Sequence, residues 1–179
     1  MIETERLKLI AFETKHFEAF EQGEDKLAEL LNLEVADGWL VFPEAMTYSK
    51  EYLEQNKDAA KWWMYFFVHK ADGKLIGNGG YKGKSDEAGM VEIGYAIAPA
   101  YEGKGLATEA ARGLTEFAFL DSQVRIVRAH TLAEENASNN VLRKVGMRFV
   151  KELHDDEDGD IWQWKVTREE YKKFNAKDA

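Results

Sequence analysis

Val91-Glu92-Ile93-Gly94-Tyr95-Ala96-Ile97-Ala98-Pro99-Ala100-Tyr101-Glu102-Gly103-Lys104-Gly105-Leu106-Ala107-Thr108-Glu109-Ala110 reads as a strand that passes a proline, turns through Gly-x-Gly and enters a helix. Such a junction aims the unpaired N–H groups of a helix start at one point in space, and the helix dipole adds partial positive charge there. A phosphate can be held in this way without a basic cleft. Gly103 and Gly105 permit positive φ and close backbone approach, and Lys104, Gly105, Leu106, Ala107 and Thr108 offer successive amides. A tight connection with no ligand accounts for the same glycines equally well on local sequence. A dinucleotide fingerprint fits poorly, because Thr108 stands where Gly or Ala is required and Asp121 does not close a following strand. A P-loop also fits poorly, because Lys104 lies between the glycines rather than before a Ser or Thr.

On either side of this stretch the periodicity alternates between that of strands and that of helices. Arg6–Phe12 predicts a first strand, and residues 15–35 predict two helices divided at Gly23. Trp39–Met46 predicts a loop around Pro43, and Lys50–Trp63 a helix with Tyr52, Leu53, Asn56 and Ala60 near one stripe. Tyr65–Lys70 and Lys74–Tyr81 predict a hairpin across Ala71-Asp72-Gly73. Leu106–Leu120 carries an apolar stripe of Leu106, Ala107, Ala110, Ala111, Leu114, Phe117 and Ala118. Arg125–Leu132 predicts a strand and Ala137–Val145 a short helix stopped by Gly146. Met147–Leu153 and Asp160–Val166 predict strands joined by an acidic turn, with a last helix after Thr167. This order predicts one mixed α/β domain over residues 1–179, with no repeat and no linker.

Composition narrows the partners. The 179 residues suffice for one domain with a real core. The net charge of −9, from 24 basic and 33 acidic residues, disfavours nucleic acid as a partner. It suits an amine-bearing or cationic one. Cysteine is absent, which excludes a disulfide framework, a thiolate nucleophile and a zinc–cysteine site. The charged first twenty residues do not read as a signal peptide, and no apolar run reaches membrane-spanning length. A cytoplasmic protein with no membrane partner is the expectation.

Whole-segment similarity is more specific than the glycines. Glu92-Ile93-Gly94-Tyr95-Ala96-Ile97, Pro99 and the run Glu102–Ala110 resemble the acetyl-CoA motif of the GCN5-related N-acetyltransferase (GNAT) family. Thr4-Glu5-Arg6-Leu7 resembles the opening of the branch that contains ribosomal-protein N-terminal acetyltransferases. Ala129-His130-Thr131-Leu132 and the run Asn136–Met147 resemble that branch's second signature. The resemblance covers about residues 4–167. It implies a central, mostly antiparallel twisted sheet of about seven strands flanked by helices, and direct attack of an amine on acetyl-CoA, with no metal. The acceptor it implies is a protein N-terminus or a small-molecule amine, and the protein a monomer or homodimer. The departures are Glu102, where the family usually has Gln or Arg, Leu142, where many relatives carry a tyrosine, and Met147, where a phenylalanine is common.

The resemblance also implies roles. Gly103, Lys104, Gly105, Leu106, Ala107 and Thr108 would take the pyrophosphate. Ile97 and Ala98 would pair their backbone with the pantetheine arm, and Asn136 would hydrogen-bond it. Glu92 is the first candidate base; it needs burial to raise its pKa, or a bridging water. A structural carboxylate is the competing role. His130, whose unperturbed pKa is already suitable, is the second candidate. Ser138 would donate to the leaving thiolate, or cap the helix beginning near Asn139. Trp62, Trp63, Trp162 and Trp164 would line an amine pocket or fill the core, with packing the better expectation for most. The acidic turn Asp155–Asp160 suggests a cationic acceptor. A non-catalytic CoA-binding regulatory module is the alternative from another class, and a nucleotide-binding regulator a weaker one.

Overall fold

A computed structural model describes residues 1–41 and 43–178. Along the chain run β1 (Ile2–Glu3), β2 (Leu7–Ala11), α1 (Thr14–Gln22), α2 (Glu24–Leu31), β3 (Glu34–Val35) and α3 (Glu44–Gln55). They are followed by β4 (Met64–His69), β5 (Lys74–Tyr81), β6 (Met90–Ile97), α4 (Leu106–Leu120), β7 (Ile126–Leu132) and α5 (Ala137–Lys144). The chain closes with β8 (Arg148–Asp155), β9 (Gly159–Thr167) and α6 (Arg168–Asp178). The strands form a nine-stranded sheet in the order β1-β2-β4-β5-β6-β7-β9-β8, with β3 beside β5. Seven of the nine span five residues or more, the number the sequence predicts; β1 and β3 are two-residue additions. Pairing is antiparallel except for β3–β5 and β6–β7.

Each face of the sheet carries its own core. Tyr65 and Phe67 of β4 pack on one side with Ile76, Val91, Ile93 and the α4 stripe of Ala110, Ala111, Leu114 and Ala118. Phe66, between them in sequence, faces the other way and joins Phe12, Phe17, Leu27, Trp39 and Leu53. This is the period-two alternation of a pleated strand buried on both faces. The predicted stripe of α4 is borne out, and Ala107 and Phe117 pack at its margin.

Two boundaries differ from the sequence reading. The predicted Trp39–Met46 loop is shorter, because α3 begins at Glu44, directly after Pro43 at φ −57°. A proline at a helix start loses no backbone bond, since the N–H there is unpaired in any case. The predicted Lys50–Trp63 helix is two pieces. Asn56, at φ −131° and ψ 64°, leaves the helical region, and its side-chain Nδ2 bonds to Tyr52 O at 2.9 Å. A 3₁₀ stretch over Lys57–Trp62 follows.

Arg168 ties the end of the chain to the end of α4. Its guanidinium donates to the carbonyls of Phe119, Asp121 and Val124, the last two at 2.6 Å each. The Phe119 oxygen lies in the last turn of α4, at the negative end of the helix dipole, and the other two belong to the turn that follows. Arg168→Met keeps the stem and removes the donors, so it should cost roughly 3 kcal/mol of stability. Urea unfolding measures this, and an unchanged midpoint would show that water replaces the guanidinium without loss.

Candidate active site

β6 and β7 pair in parallel only through Met90–Ile126, Val91–Val127 and Glu92–Arg128. Both strands continue, β6 to Ile97 and β7 to Leu132, but the ladder between them stops. β6 stays bonded to β5 on its other side, and β7 to β9. A wedge therefore opens inside the sheet, with backbone groups of β6 facing it unpaired by β7.

Glu92 sits where the strands part, 9% exposed. Lys82 Nζ lies 2.7 Å and His130 Nδ1 3.0 Å from its Oε1, while Arg128 Nε lies 2.8 Å from its Oε2. Burial raises the Glu92 pKa, but hydrogen bonds from His130 and Lys82, and their charges, outweigh it and bring the group down to about 2. The sequence reading required the opposite shift for a base, so direct proton abstraction by Glu92 loses its physical support. Gln163 Nε2 lies 3.2 Å from His130 Nε2, and as the donor in that pair it puts the ring proton on Nδ1, facing Glu92. Lys82, which holds the carboxylate from the neighbouring strand, was missed in the sequence.

The Gly-x-Gly turn has the predicted geometry. Gly103 and Gly105 have φ of +72° and +77°. A Cβ at Gly103 would meet nothing within 4 Å, and one at Gly105 only Arg6 Nη2 at 3.5 Å, so the backbone angle and not crowding calls for glycine. Glu109 N–H bonds to Gly105 O at 3.0 Å, the first turn of α4, which leaves the amides before it without helical partners. Gly103, Gly105, Leu106, Ala107 and Thr108 line a cleft of about 480 Å³ that reaches the wedge.

The side chain of Lys104 serves the turn itself. Its ammonium bonds to Ala100 O at 2.8 Å and covers the Tyr101 ring at 4.9 Å, so it is turned away from the cleft. Glu102 does line the cleft, and Lys144 of α5 faces it there as the opposite charge. Arg6 braces the turn from behind, donating to Lys104 O at 2.9 Å while Glu109 holds its Nε at 2.7 Å.

The start of α5 forms the far wall. Asn136, not Ser138, caps this helix: Asn136 Oδ1 accepts from Asn139 N–H at 3.1 Å. A cap accepts from the third residue on, so Ser138 lies two residues too late. Asn136 is not part of the cleft wall, and Ala98 is fully buried with its N–H on Ile76 O at 2.7 Å. Ile97 and Ser138 do line it. Leu142 is fully buried and brings nothing polar to the cleft. Tyr95, unsuspected as a site residue, crosses from β6, and its hydroxyl lies 3.2 Å from Ser138 Oγ. Burial pushes the Tyr95 phenol up to about 12, with the Ser138 hydrogen bond pulling the other way. Of the tryptophans, Trp62 and Trp164 pack in the core, while Trp63 borders a second pocket.

The described residues contain no helix long and apolar enough to cross a membrane, and no cluster of His, Asp or Glu arranged to hold a metal.

Similarity to known proteins gives the family to which this fold belongs. The acetyltransferase (GNAT) domain family matches residues 6–148, and the chain belongs to that family of N-acetyltransferases. It is 28% identical over 148 residues to the uncharacterized N-acetyltransferase YjdG of Bacillus subtilis (strain 168), covering 82% of this chain and 88% of the relative. Its fold is similar to that of RimL, a ribosomal L7/L12 alpha-N-protein acetyltransferase solved with coenzyme A. That likeness has a TM-score of 0.65 at 17% identity, over 92% of this chain and 95% of that one. The spermidine/spermine N-acetyltransferase SpeG from Vibrio cholerae matches with a TM-score of 0.68 at 16% identity, over 96% and 99% of the two chains.

The depressed pKa of Glu92 fixes a sign. Its ionised form is favoured in the folded state, so the contribution is complete above the ordinary value of 4.5 and is lost as pH falls towards about 2. At neutral pH the shift corresponds to on the order of 3 kcal/mol. Glu92→Gln should therefore lower the melting temperature at pH 7, and the gap to the parent should shrink below pH 4.5. A gap independent of pH would show that charge is not what Glu92 supplies.

Proposed function

We propose that this N-acetyltransferase takes acetyl-CoA as donor and passes the acetyl group directly to a primary amine bound on the other side of β6. The observation that carries this reading is that two clefts meet at one place: Tyr95 and Ala96 line both. In the reaction the amine nitrogen forms the new C–N bond, the C–S bond breaks, the nitrogen loses a proton and the thiolate gains one.

The chain's own groups divide this work. The amides from Lys104 to Thr108 receive the pyrophosphate, and Lys144 offsets Glu102 beside it. The unpaired edge of β6 near Ile97 receives the amide groups of the pantetheine arm as an added strand would. Tyr95, protonated at any physiological pH, protonates the thiolate, with Ser138 supporting it. The proton on the amine leaves to solvent through water, drawn past the ionised Glu92 that orients the His130 imidazole. The names of the relatives span a ribosomal protein N-terminus and polyamines, so family membership gives transfer to an amine without choosing among amines. The departures at Leu142 and Glu102 favour a non-catalytic module, but Tyr95 supplies a phenol from the opposite wall and the turn amides remain for the phosphates.

Release of free CoA thiol from acetyl-CoA in the presence of an amine panel tests the reading; binding of acetyl-CoA without turnover of any amine would sink it. Tyr95→Phe should lower kcat roughly 10–100-fold while leaving the KM for acetyl-CoA within about twofold. Equal kcat values would remove Tyr95 from the chemistry. Gly105→Val forces a branched side chain into positive φ and misaims the amides, so it should weaken CoA binding by about tenfold or more, a loss of one charge-assisted hydrogen bond. Calorimetry reads that change, and unchanged affinity would mean the turn does not meet the phosphates.

A further inference from the structure

The pocket of about 510 Å³ on the far side of β6 has an unusual inventory for a site that receives amines. One wall is aromatic. Tyr52 and Trp63 stack with centroids 3.8 Å apart and 19° between planes, and Tyr48 leans on Trp63 at 5.8 Å. The floor is nearly bare: Gly80 of β5 lies opposite Gly94 of β6, and a Cβ at Gly94 would meet nothing within 4 Å. The described lining residues include no carboxylate, and their one cation, Lys82, is held by Glu92 at 2.7 Å. Ser49 is spent as well, its hydroxyl on Met64 Sδ at 2.8 Å.

Trp63 Nε1 is buried without a partner among the described residues, and Asn78 adds a second polar group. Asn78 is 8% exposed, lines the pocket and pairs with Ala96, the residue shared with the acetyl-CoA cleft. Its Nδ2 donates to Trp39 O at 3.1 Å, while its Oδ1 receives no hydrogen bond from the described residues. That oxygen reaches solvent and can take a donor from a ligand in place of water. A second ammonium group, as on a polyamine, would find no carboxylate among the described lining residues.

We propose that the acceptor is a primary amine carried on a short linker from a flat, uncharged aromatic body. The body lies against Tyr48, Tyr52 and Trp63 over the glycine floor, and the amine N–H is received by Asn78 Oδ1 beside Ala96. This assignment rests on the acetyl-transfer reading above and deepens it by naming the substrate class. The aromatic wall gives affinity by apolar burial, and Asn78 points the nitrogen lone pair across β6 at the acetyl carbon. Attack forms the C–N bond and expels the CoA thiolate, as already described.

The test compares phenethylamine, spermidine and an alanine-initiated peptide in thiol release with acetyl-CoA. Tryptophan fluorescence with CoA present follows amine binding separately. Phenethylamine should exceed the other two in kcat/KM by at least tenfold. Gly94→Val, which fills the floor at an ordinary strand backbone, should raise its KM at least tenfold with the CoA Kd within twofold. Asn78→Ala should lower kcat/KM for phenethylamine at least tenfold. Preference for spermidine or the peptide, or indifference to Gly94→Val, overturns the substrate class while leaving acetyl transfer standing. If no amine turns over, the transfer reading falls. Saturable phenethylamine binding that Gly94→Val abolishes then still supports the aromatic pocket, and absence of binding overturns it.

Discussion

The site depends on a parallel strand pair that stops pairing after three rungs. If β6 and β7 remained bonded beyond Glu92 and Arg128, the sheet would be closed and no ligand could reach its middle. Opening a sheet exposes unpaired N–H and C=O groups, which is costly unless water or a ligand satisfies them. The chain meets this at the branch point with charge. Glu92 is gripped by Lys82 from beyond β5 and by Arg128 and His130 from β7, so one carboxylate ties together the strands on either side of the opening. Beyond it, Gly94 and Ala96 keep side chains out of the gap.

The Gly-x-Gly end of the cleft is built from backbone. Lys104, the natural candidate for a cation there, spends its charge on Ala100 O and the Tyr101 face, which fixes the turn instead of the ligand. Arg6 does similar work from the outside through Lys104 O and Glu109. Two cations thus hold the loop in the one conformation whose amides converge. The local negative charge of Glu102 is met across the cleft by Lys144, on a different helix. Amides cannot change protonation or rotate away, so a site assembled in this way keeps its shape before the ligand arrives.

Much of this was legible in the chain. The strand–turn–helix reading of Val91–Ala110 is what the structure contains, because alternation, Pro99, two glycines and the α4 stripe all agree. The places where reading failed have local causes. Pro43 starts a helix as readily as it sits in a loop, so α3 was begun too late. Ser138 and Asn136 are both good caps, and only the position of the first turn separates them. Glu92 was read from its own strand, whereas its pKa is set by Lys82, Arg128 and His130, whose approach is a property of the sheet. Tyr95 lay inside the quoted stretch and was still passed over as a strand aromatic; its alternation with Gly94 and Ala96 was a signal, but its reach to Ser138 needs the fold of α5. Lys144 carried no local signal at all.

Packing sets Tyr95 and Leu142 apart. The side chain at position 142 is fully enclosed beside Val145, so a hydroxyl there would need a buried partner that the surroundings do not offer. Tyr95 instead emerges from a strand edge where the sheet has already opened, half-buried, with its ring against the core and its hydroxyl at the first turn of α5. Burial keeps that phenol protonated, and the wedge gives it a path to the cleft. The same strand then presents Gly94 and Ala96 to the opposite pocket. A single strand, alternating side by side, separates the two clefts along most of its length and lets them meet only at Tyr95 and Ala96, beside the bare Gly94.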